Sequence, residues 1–210
     1  MAADAPMGGE PAIPQALDEI ERHCFALLAR GVRDRRSACH LAVLATIGQD
    51  GFPAARTVVL RAVDAATRTL SFHTDRRSPK LAALAADPRM AIHFYDPRAR
   101  LQFRFRAIAA LHVGDATAQA VWRDVAPFSR RCYLGLTPGS VSAAPTSGLP
   151  PELETRAPDA EESAPGLANF AVLRARLAGL DWLHLAASGH RRARFDWSDP
   201  TGPVAVWLAP

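Results

Sequence analysis

The stretch FHTDRRSPKLAAL, residues 72–84, sets Thr74, Arg76, Arg77, Ser78 and Lys80 between an apolar β-like run and the start of a helix. Hydroxyls and cations at that density are anion-binding chemistry. Ser78 followed by Pro79 is a helix-start signature, a hydroxyl cap and then proline at the first helical position. Free N–H groups at a helix start attract anions, and a terminal phosphate suits them. The plainer account of the same residues is that Ser78 caps its helix while the arginines stay solvated. Lys80 is the only lysine in the chain. Among so many arginines, it marks a place where a compact, flexible ammonium has a use.

The charge around this turn is uneven. Eleven basic residues stand against four acids between Phe52 and His112, although the whole chain carries only +4. Such an excess suits a phosphate-bearing ligand or nucleic acid, with a solvated basic face as the alternative. Within it, RLQFRFRAIAALHV alternates, so Leu101, Phe103 and Phe105 face one way and Gln102, Arg104 and Arg106 the other. Nucleic-acid binding needs stacking aromatics on the arginine face. These phenylalanines point away from it, so no nucleic-acid partner is expected. The familiar phosphate and nucleophile motifs, GxxxxGK[ST], GxGxxG and GxSxG, are missing. Three cysteines without a CxxC and seven histidines without metal-ligand spacing predict neither a disulfide framework nor a metal site. The cysteines read as small buried residues.

The elements that must hold these groups follow from periodicity. Ile13, Ala16, Leu17, Ile20, Cys24, Leu27 and Leu28 recur at helical spacing, predicting an N-terminal helix that ends near Gly31. HLAVLATI and PAARTVVLRAV flank Gln49-Asp50-Gly51, a hairpin signal. TRTLSFHT and RMAIHFYD add a third and fourth strand, with a short helix between. DATAQAVWRDV and PFSRRCYLGL look helical. Residues 137–168 are rich in Pro, Ala, Ser and Glu, which predicts a long loop, at about 141–168, without helix. FAVLRARLAGLDWLHLA, RRARFDW and VAVWLAP return to β pattern. Six or more mostly antiparallel strands with few helices predict a mainly β fold, a barrel with peripheral helices.

At 210 residues and 49% hydrophobic, the chain can bury a substantial core. No apolar run reaches the roughly 18–20 residues of a membrane helix, and the first residues lack the basic and apolar regions of a secretory signal. The expectation is a cytoplasmic protein with no membrane partner: a flexible leader over residues 1–12, then a single domain over residues 13–210.

RTVVLR at residues 56–61, FHT at 72–74, SPK at 78–80 and LQFRFRA at 101–107 occur in that order. Together with WLHLAASGHRRARF and the closing VWLAP, they resemble the pyridoxamine 5'-phosphate oxidase family of FMN-binding split barrels. The resemblance covers most of the chain from about His40, apart from the long loop. It implies a six-stranded antiparallel split β-barrel, a homodimer, and FMN at the subunit interface. By position, Arg56 resembles the arginine that helps hold the FMN phosphate, with Thr57 and Val58 beside it. Arg61 stands where the family has a lysine near flavin and substrate. His73 replaces a tyrosine, Thr74 is retained, and Ser78 and Lys80 fall at the phosphate. Gln102 matches a flavin-ring glutamine, Ser140 a serine from the second subunit, and Trp182 and Arg194 residues near the flavin.

The likeness also implies an FMN-dependent oxidoreductase acting on a small anionic substrate near Arg61, Arg131, His190 and Arg192. Pyridoxamine or pyridoxine 5'-phosphate oxidation and flavin reduction by a nicotinamide are the named candidates. No catalytic residue is assigned. The alternative is a non-catalytic module holding FMN or haem, for which His73, His93 and His190 leave room. Three further departures from the family pattern qualify the reading: Pro79 replaces an arginine, Ala126 replaces the substrate-phosphate arginine, and an arginine replaces the active-site histidine in HRRAR.

Overall fold

The computed structural model describes residues 13–199 and 201–210; the leader expected over residues 1–12 lies outside them. Helix α1 spans Leu17–Arg33, with Asp18 and Glu19 in its first turn and Arg30 and Arg33 in its last. These charges complement the helix dipole. Ile20, Cys24, Phe25 and Leu28 form its buried face. The helix runs through Gly31 rather than ending there. A β-carbon at residue 31 would lie 2.3 Å from the Cys39 carbonyl oxygen, so this glycine serves close packing, not termination.

Six strands close into a barrel: β1 (Leu41–Ile47), β2 (Pro53–Asp64), β3 (Thr69–Asp75), β4 (Arg89–Asp96), β5 (Leu101–Val113) and β6 (Phe170–His184). Their order is β3-β2-β1-β4-β5-β6, and an antiparallel β3–β6 pairing completes the ring. The mainly β, six-stranded antiparallel split barrel expected from the sequence is the observed fold. Helix α2 (Pro79–Ala86) joins β3 to β4. Two further strands, β7 (Arg191–Asp196) and β8 (Val204–Leu208), extend the sheet beyond β6.

The split is visible in β6. Residues 170–176 pair with β3 and residues 179–184 with β7, while β5 runs alongside both halves. An irregularity at Arg106/Ala107 marks the change. Gly179 sits there because a side chain would collide with the Phe195 carbonyl and the Arg106 guanidinium. Inside the barrel Leu44, Leu60, Phe72, Phe94, Phe103 and Phe105 are essentially inaccessible. They supply the apolar burial that stabilises the fold. A second cluster packs helix α3 (Ala116–Asp124) against the start of β6 through Trp122, Tyr133 and Phe170.

PFSRRCYLGL forms only one helical turn, α4 (Pro127–Arg130), followed by a 3₁₀ turn at Arg131–Tyr133. The segment expected to be free of helix contains a 3₁₀ turn at Pro151–Leu153, a helical turn α5 (Ala160–Ser163) and a 3₁₀ stretch at Ala164–Ala168. Asp159 and Glu162 cap each other there, at 2.8 and 2.9 Å, and Arg156 pairs with Glu162. Leu153 and Ser163 are buried, so these short turns are stabilised by docking that composition does not reveal.

Candidate functional site

The turn between β3 and α2 sorts its polar groups into two sets. Arg77 forks onto Asp75, Nη2 to Oδ2 at 2.7 Å, and also donates to the Gly135 carbonyl. Among the described residues, the Arg76 guanidinium reaches only the Ala168 carbonyl, at 3.4 Å. Both arginines therefore brace the turn against the later chain. Ser78 occupies the cap position of α2 but its side chain does not cap; its Oγ accepts from Lys80 Nζ at 2.7 Å. Proline supplies no N–H, and the Leu81 N–H donates to the Ser78 carbonyl. The helix start therefore offers an anion less than the sequence suggested, and side chains carry the cradle.

Arg56 enters from β2 on the barrel-facing side, opposite Leu44 in register. Its Nη1 donates to Thr46 Oγ1 at 2.8 Å and to the Ala54 carbonyl at 2.9 Å. No hydrogen bond from its Nη2 or Nε occurs among the described residues. Burial, and then the Arg56 charge, push the Lys80 ammonium below its ordinary value, with Asp75 pulling the other way. Two cations so placed repel each other. Thr74 is 7% exposed, and its Oγ1 is buried with no hydrogen-bond partner. A buried donor without an acceptor costs free energy. A phosphate oxygen would satisfy it, and the dianion would relieve the repulsion between Arg56 and Lys80. The residues fit a phosphate.

A second grouping lines a cleft of about 600 Å³ beside β3. A β-bulge between Leu60 and Ala62 turns Arg61 outward into it. His73 forms part of its floor, and burial, then Arg61, lower that imidazole to about 4. It is therefore neutral at physiological pH. Ala126, Cys132 and Tyr133 also line the cleft, and burial pushes the Tyr133 phenol up. Cys24 and Cys39 are buried as expected, but Cys132 is exposed, because the 3₁₀ turn buries Tyr133 instead. Arg131 lies in the cleft wall yet is already engaged. Its Nη1 donates to the carbonyls of Leu153 and Glu154, and its guanidinium lies 3.6 Å from the Phe128 ring centroid. Arg131, expected to bind substrate, thus also fastens the long loop to the cleft wall.

The third grouping lies on the outer face of the sheet. Gln102 stands between Tyr95 and Leu183 in register, one row from Arg104 and Asp181. Arg192 Nη2 and Arg104 Nη2 meet the two Asp181 oxygens at 2.6 and 2.8 Å. Burial alone would raise that carboxyl, but hydrogen bonds and charge from the two arginines hold it below its usual value. Arg192, expected near the substrate, is paired with Asp181. Arg106 is likewise tied to Asp196. Phe103 and Phe105 are in the core, on the face opposite Gln102, Arg104 and Arg106. Arg194 is exposed in a neighbouring groove of about 710 Å³. Thr57 is exposed on the same outer face, and Val58 points inward against the core.

Three expected residues join none of these groups. Ser140 is exposed at the end of a turn from Thr137, and His190 is exposed between β6 and β7. Trp182 is 0% exposed, 6.4 Å from the Trp207 ring, with its indole N–H unpartnered. Its place on an inward-facing position of β6 encloses it, so the indole has no open path to a ligand in this conformation. Conversely, Arg35 and Arg174 line the cleft without having been singled out. Arg174 was legible as the outward residue in the alternation VLRARL. Arg35, in the connection after α1, carried no signal.

Residues 24–113 match the family model described as pyridoxamine 5'-phosphate oxidase, FMN-binding domain. That span includes Arg56, Arg61, Thr74, Lys80 and Gln102 but not Ser140, Trp182 or Arg194. The pyridoxine/pyridoxamine 5'-phosphate oxidase of Anaeromyxobacter dehalogenans is 37% identical over 109 residues, 52% of this chain and 53% of that protein. That of Thermobifida fusca is 36% identical over 90 residues, 43% and 38% of the two chains. The chain thus spans about half the length, or less, of these curated relatives. A pyridoxamine 5'-phosphate oxidase-related, FMN-binding protein from Nostoc punctiforme superposes with a TM-score of 0.73 at 26% identity, covering 90% of this chain and 97% of that one. PhzG from Burkholderia lata, solved with tetrahydrophenazine-1-carboxylic acid, shares the fold at a TM-score of 0.67 and 16% identity, each chain being 94% covered. The resemblance read from the motifs is shown by these matches.

Proposed function

We propose that this pyridoxamine 5'-phosphate oxidase-like chain is an FMN-binding oxidoreductase that acts on a small anionic substrate or accepts electrons from a nicotinamide. The observation that carries the reading is the β3–α2 turn, where a buried Thr74 hydroxyl lacks a hydrogen-bond partner at the end of β3 and Lys80, just after it, feels the Arg56 charge, a repulsion an anion would relieve. The FMN-binding family model over residues 24–113 supports the same choice of anion. Arg56 would hold the phosphate by the free part of its fork, Lys80 as a point charge, and Thr74 by its hydroxyl. Gln102, both donor and acceptor, would hydrogen-bond the polar edge of the ring. When bound, FMN supplies hydride or electron transfer.

The remaining chemistry belongs to this chain. Arg61 brings positive charge to the cleft, and neutral His73 can donate or accept a hydrogen bond there. Leu41, Val43 and Tyr95 are exposed on the outer sheet face, adjoining the rows of Thr57, His93 and Gln102. An apolar patch at that place supports a homodimer, with a flavin at Gln102 lying where the second subunit would cover it. No helix among the described residues is long and apolar enough to cross a membrane. A cytoplasmic protein without nucleic-acid partners is part of this proposal, as is a single domain over residues 13–210.

The test is the absorption spectrum of purified protein between about 300 and 550 nm, before and after adding FMN and gel filtering. Retained bands near about 375 and 450 nm support the flavin reading. A retained Soret band would replace it with the haem module. Folded protein that holds neither chromophore refutes both.

A further inference from the structure

We infer that Arg174 and Arg35 are specificity-determining residues of the cleft, forming with Arg61 a three-sided clamp for a small flat dianion. The inference deepens the proposed function and rests on it for reading the cleft as the substrate's. Ala62 on β2 and Arg174 on β6 lie opposite Ser71 of β3, one on each side. Neighbouring strands are about 4.8 Å apart, so Arg61, beside Ala62 in the bulge, and Arg174 straddle β3 at roughly 10 Å. Arg35 reaches the same cleft from the connection between α1 and β1. The three guanidiniums come from separate elements and converge on one space.

Their freedom distinguishes them from other arginines nearby. None of the three forms an ion pair or hydrogen bond among the described residues, and Asp124 is the single acid in the cleft wall. Arg131, in the same wall, spends its donors on loop carbonyls, while Arg104, Arg106 and Arg192 are each tied to an aspartate. Free guanidiniums present planar forks suited to carboxylate or phosphate oxygens. Ala126 lines the cleft too, and offers no charge where the resemblance places a phosphate-reading arginine. Anion recognition has thus moved from the corner between α3 and α4 to β6 and the segment after α1. Val121, Val125, Phe128, Tyr133 and Val172 add apolar and aromatic surface suited to a flat ring.

A phosphate monoester and a dicarboxylate share this chemistry. Calorimetric titration with phenyl phosphate, phthalate and neutral benzamide separates the two sources, using wild type, R174Q, R35Q and the conservative R174K. The wild type is expected to bind at least one dianion and to prefer it to benzamide. R174Q and R35Q should each weaken that binding about tenfold, with R174K intermediate and benzamide unaffected. Tighter binding of phenyl phosphate assigns a phosphate ester; tighter binding of phthalate assigns a dicarboxylate. Dianion binding unchanged in both glutamine variants, or no dianion preference in the wild type, overturns the clamp. The 450 nm absorption of the same samples is read separately. Charge-dependent dianion binding without retained flavin would sink the flavin reading and leave the clamp, and the opposite pair of results would do the reverse.

Discussion

Replacing Lys80 with methionine separates what a phosphate cradle gains from what it costs. The Lys80 ammonium is desolvated and faces the Arg56 charge, with only Asp75 in opposition, and Asp75 is already forked by Arg77. A charge-assisted hydrogen bond contributes roughly 1.5–3 kcal/mol. At about 1.4 kcal/mol per factor of ten, K80M should therefore bind FMN roughly 10- to 150-fold more weakly. The flavin-free protein should behave oppositely. Methionine keeps an apolar stem and removes the buried charge, so the stripped variant should unfold at the same temperature as wild type or higher. The pH dependence follows the same sign. The folded-state affinity of Lys80 for its proton is lowered, so its destabilisation is full below the folded value and relieved as pH rises toward the unfolded 10.5. K80M should lack that component. FMN titration of stripped protein and thermal unfolding without FMN measure the two halves. Affinity within about twofold of wild type, or stripped K80M melting several degrees lower, would refute the reasoning.

Three further outcomes follow from the same geometry. T74V replaces an unpartnered buried hydroxyl with an apolar group of the same shape, so the stripped protein should gain up to about 1 kcal/mol while losing FMN affinity; denaturant titration and FMN titration of one preparation check both. His73 is held near 4 against 6.5 unfolded, so it contributes stability above about 6.5 that is lost as pH falls toward 4, and H73Q should flatten that limb of the stability curve. Proton-monitored histidine titration should show the His73 ring neutral throughout pH 5.5–8. G31A would drive a methyl into the Cys39 carbonyl and should destabilise by roughly 1–3 kcal/mol, against a helix-propensity gain of about 1 kcal/mol. A stabilised G31A, measured by urea unfolding, would mean the 3₁₀-turn backbone at Ala38–His40, which holds the Cys39 carbonyl, yields freely.

Much of the barrel was legible because local periodicity and burial coincide in its strands. Leu101, Phe103 and Phe105 alternate with Gln102, Arg104 and Arg106, and the structure buries the first set and turns out the second. The phosphate turn was legible for a similar reason: Thr74, Ser78 and Lys80 are close in sequence, so few alternatives exist for their placement. Pairing across distance was not. Arg77 belongs to that turn in sequence, but Asp75 and the Gly135 carbonyl claim it; Arg131 and Arg192 are claimed by loop carbonyls and by Asp181. Which cations stay free depends on which acceptor each one meets in the folded chain, from Asp75 two residues before Arg77 to the Gly135 carbonyl 58 residues after it, and no spacing rule states that. Short turns in the long segment escaped for the same reason, since Leu153 and Ser163 gain their burial only from docking.

Residue types and their order therefore determined the β-rich class, the inward and outward faces, and the crowding of anion-binding groups between β3 and α2. Tertiary structure alone decided that β6 leaves β3 for β7 midway, that Trp182 is enclosed, and that Arg35, Arg61 and Arg174 meet in one cleft. The physical reason is range. A strand's faces follow from a two-residue period along one segment, whereas the company an arginine keeps is set by the register of strands and by loops that pack only once the barrel has closed.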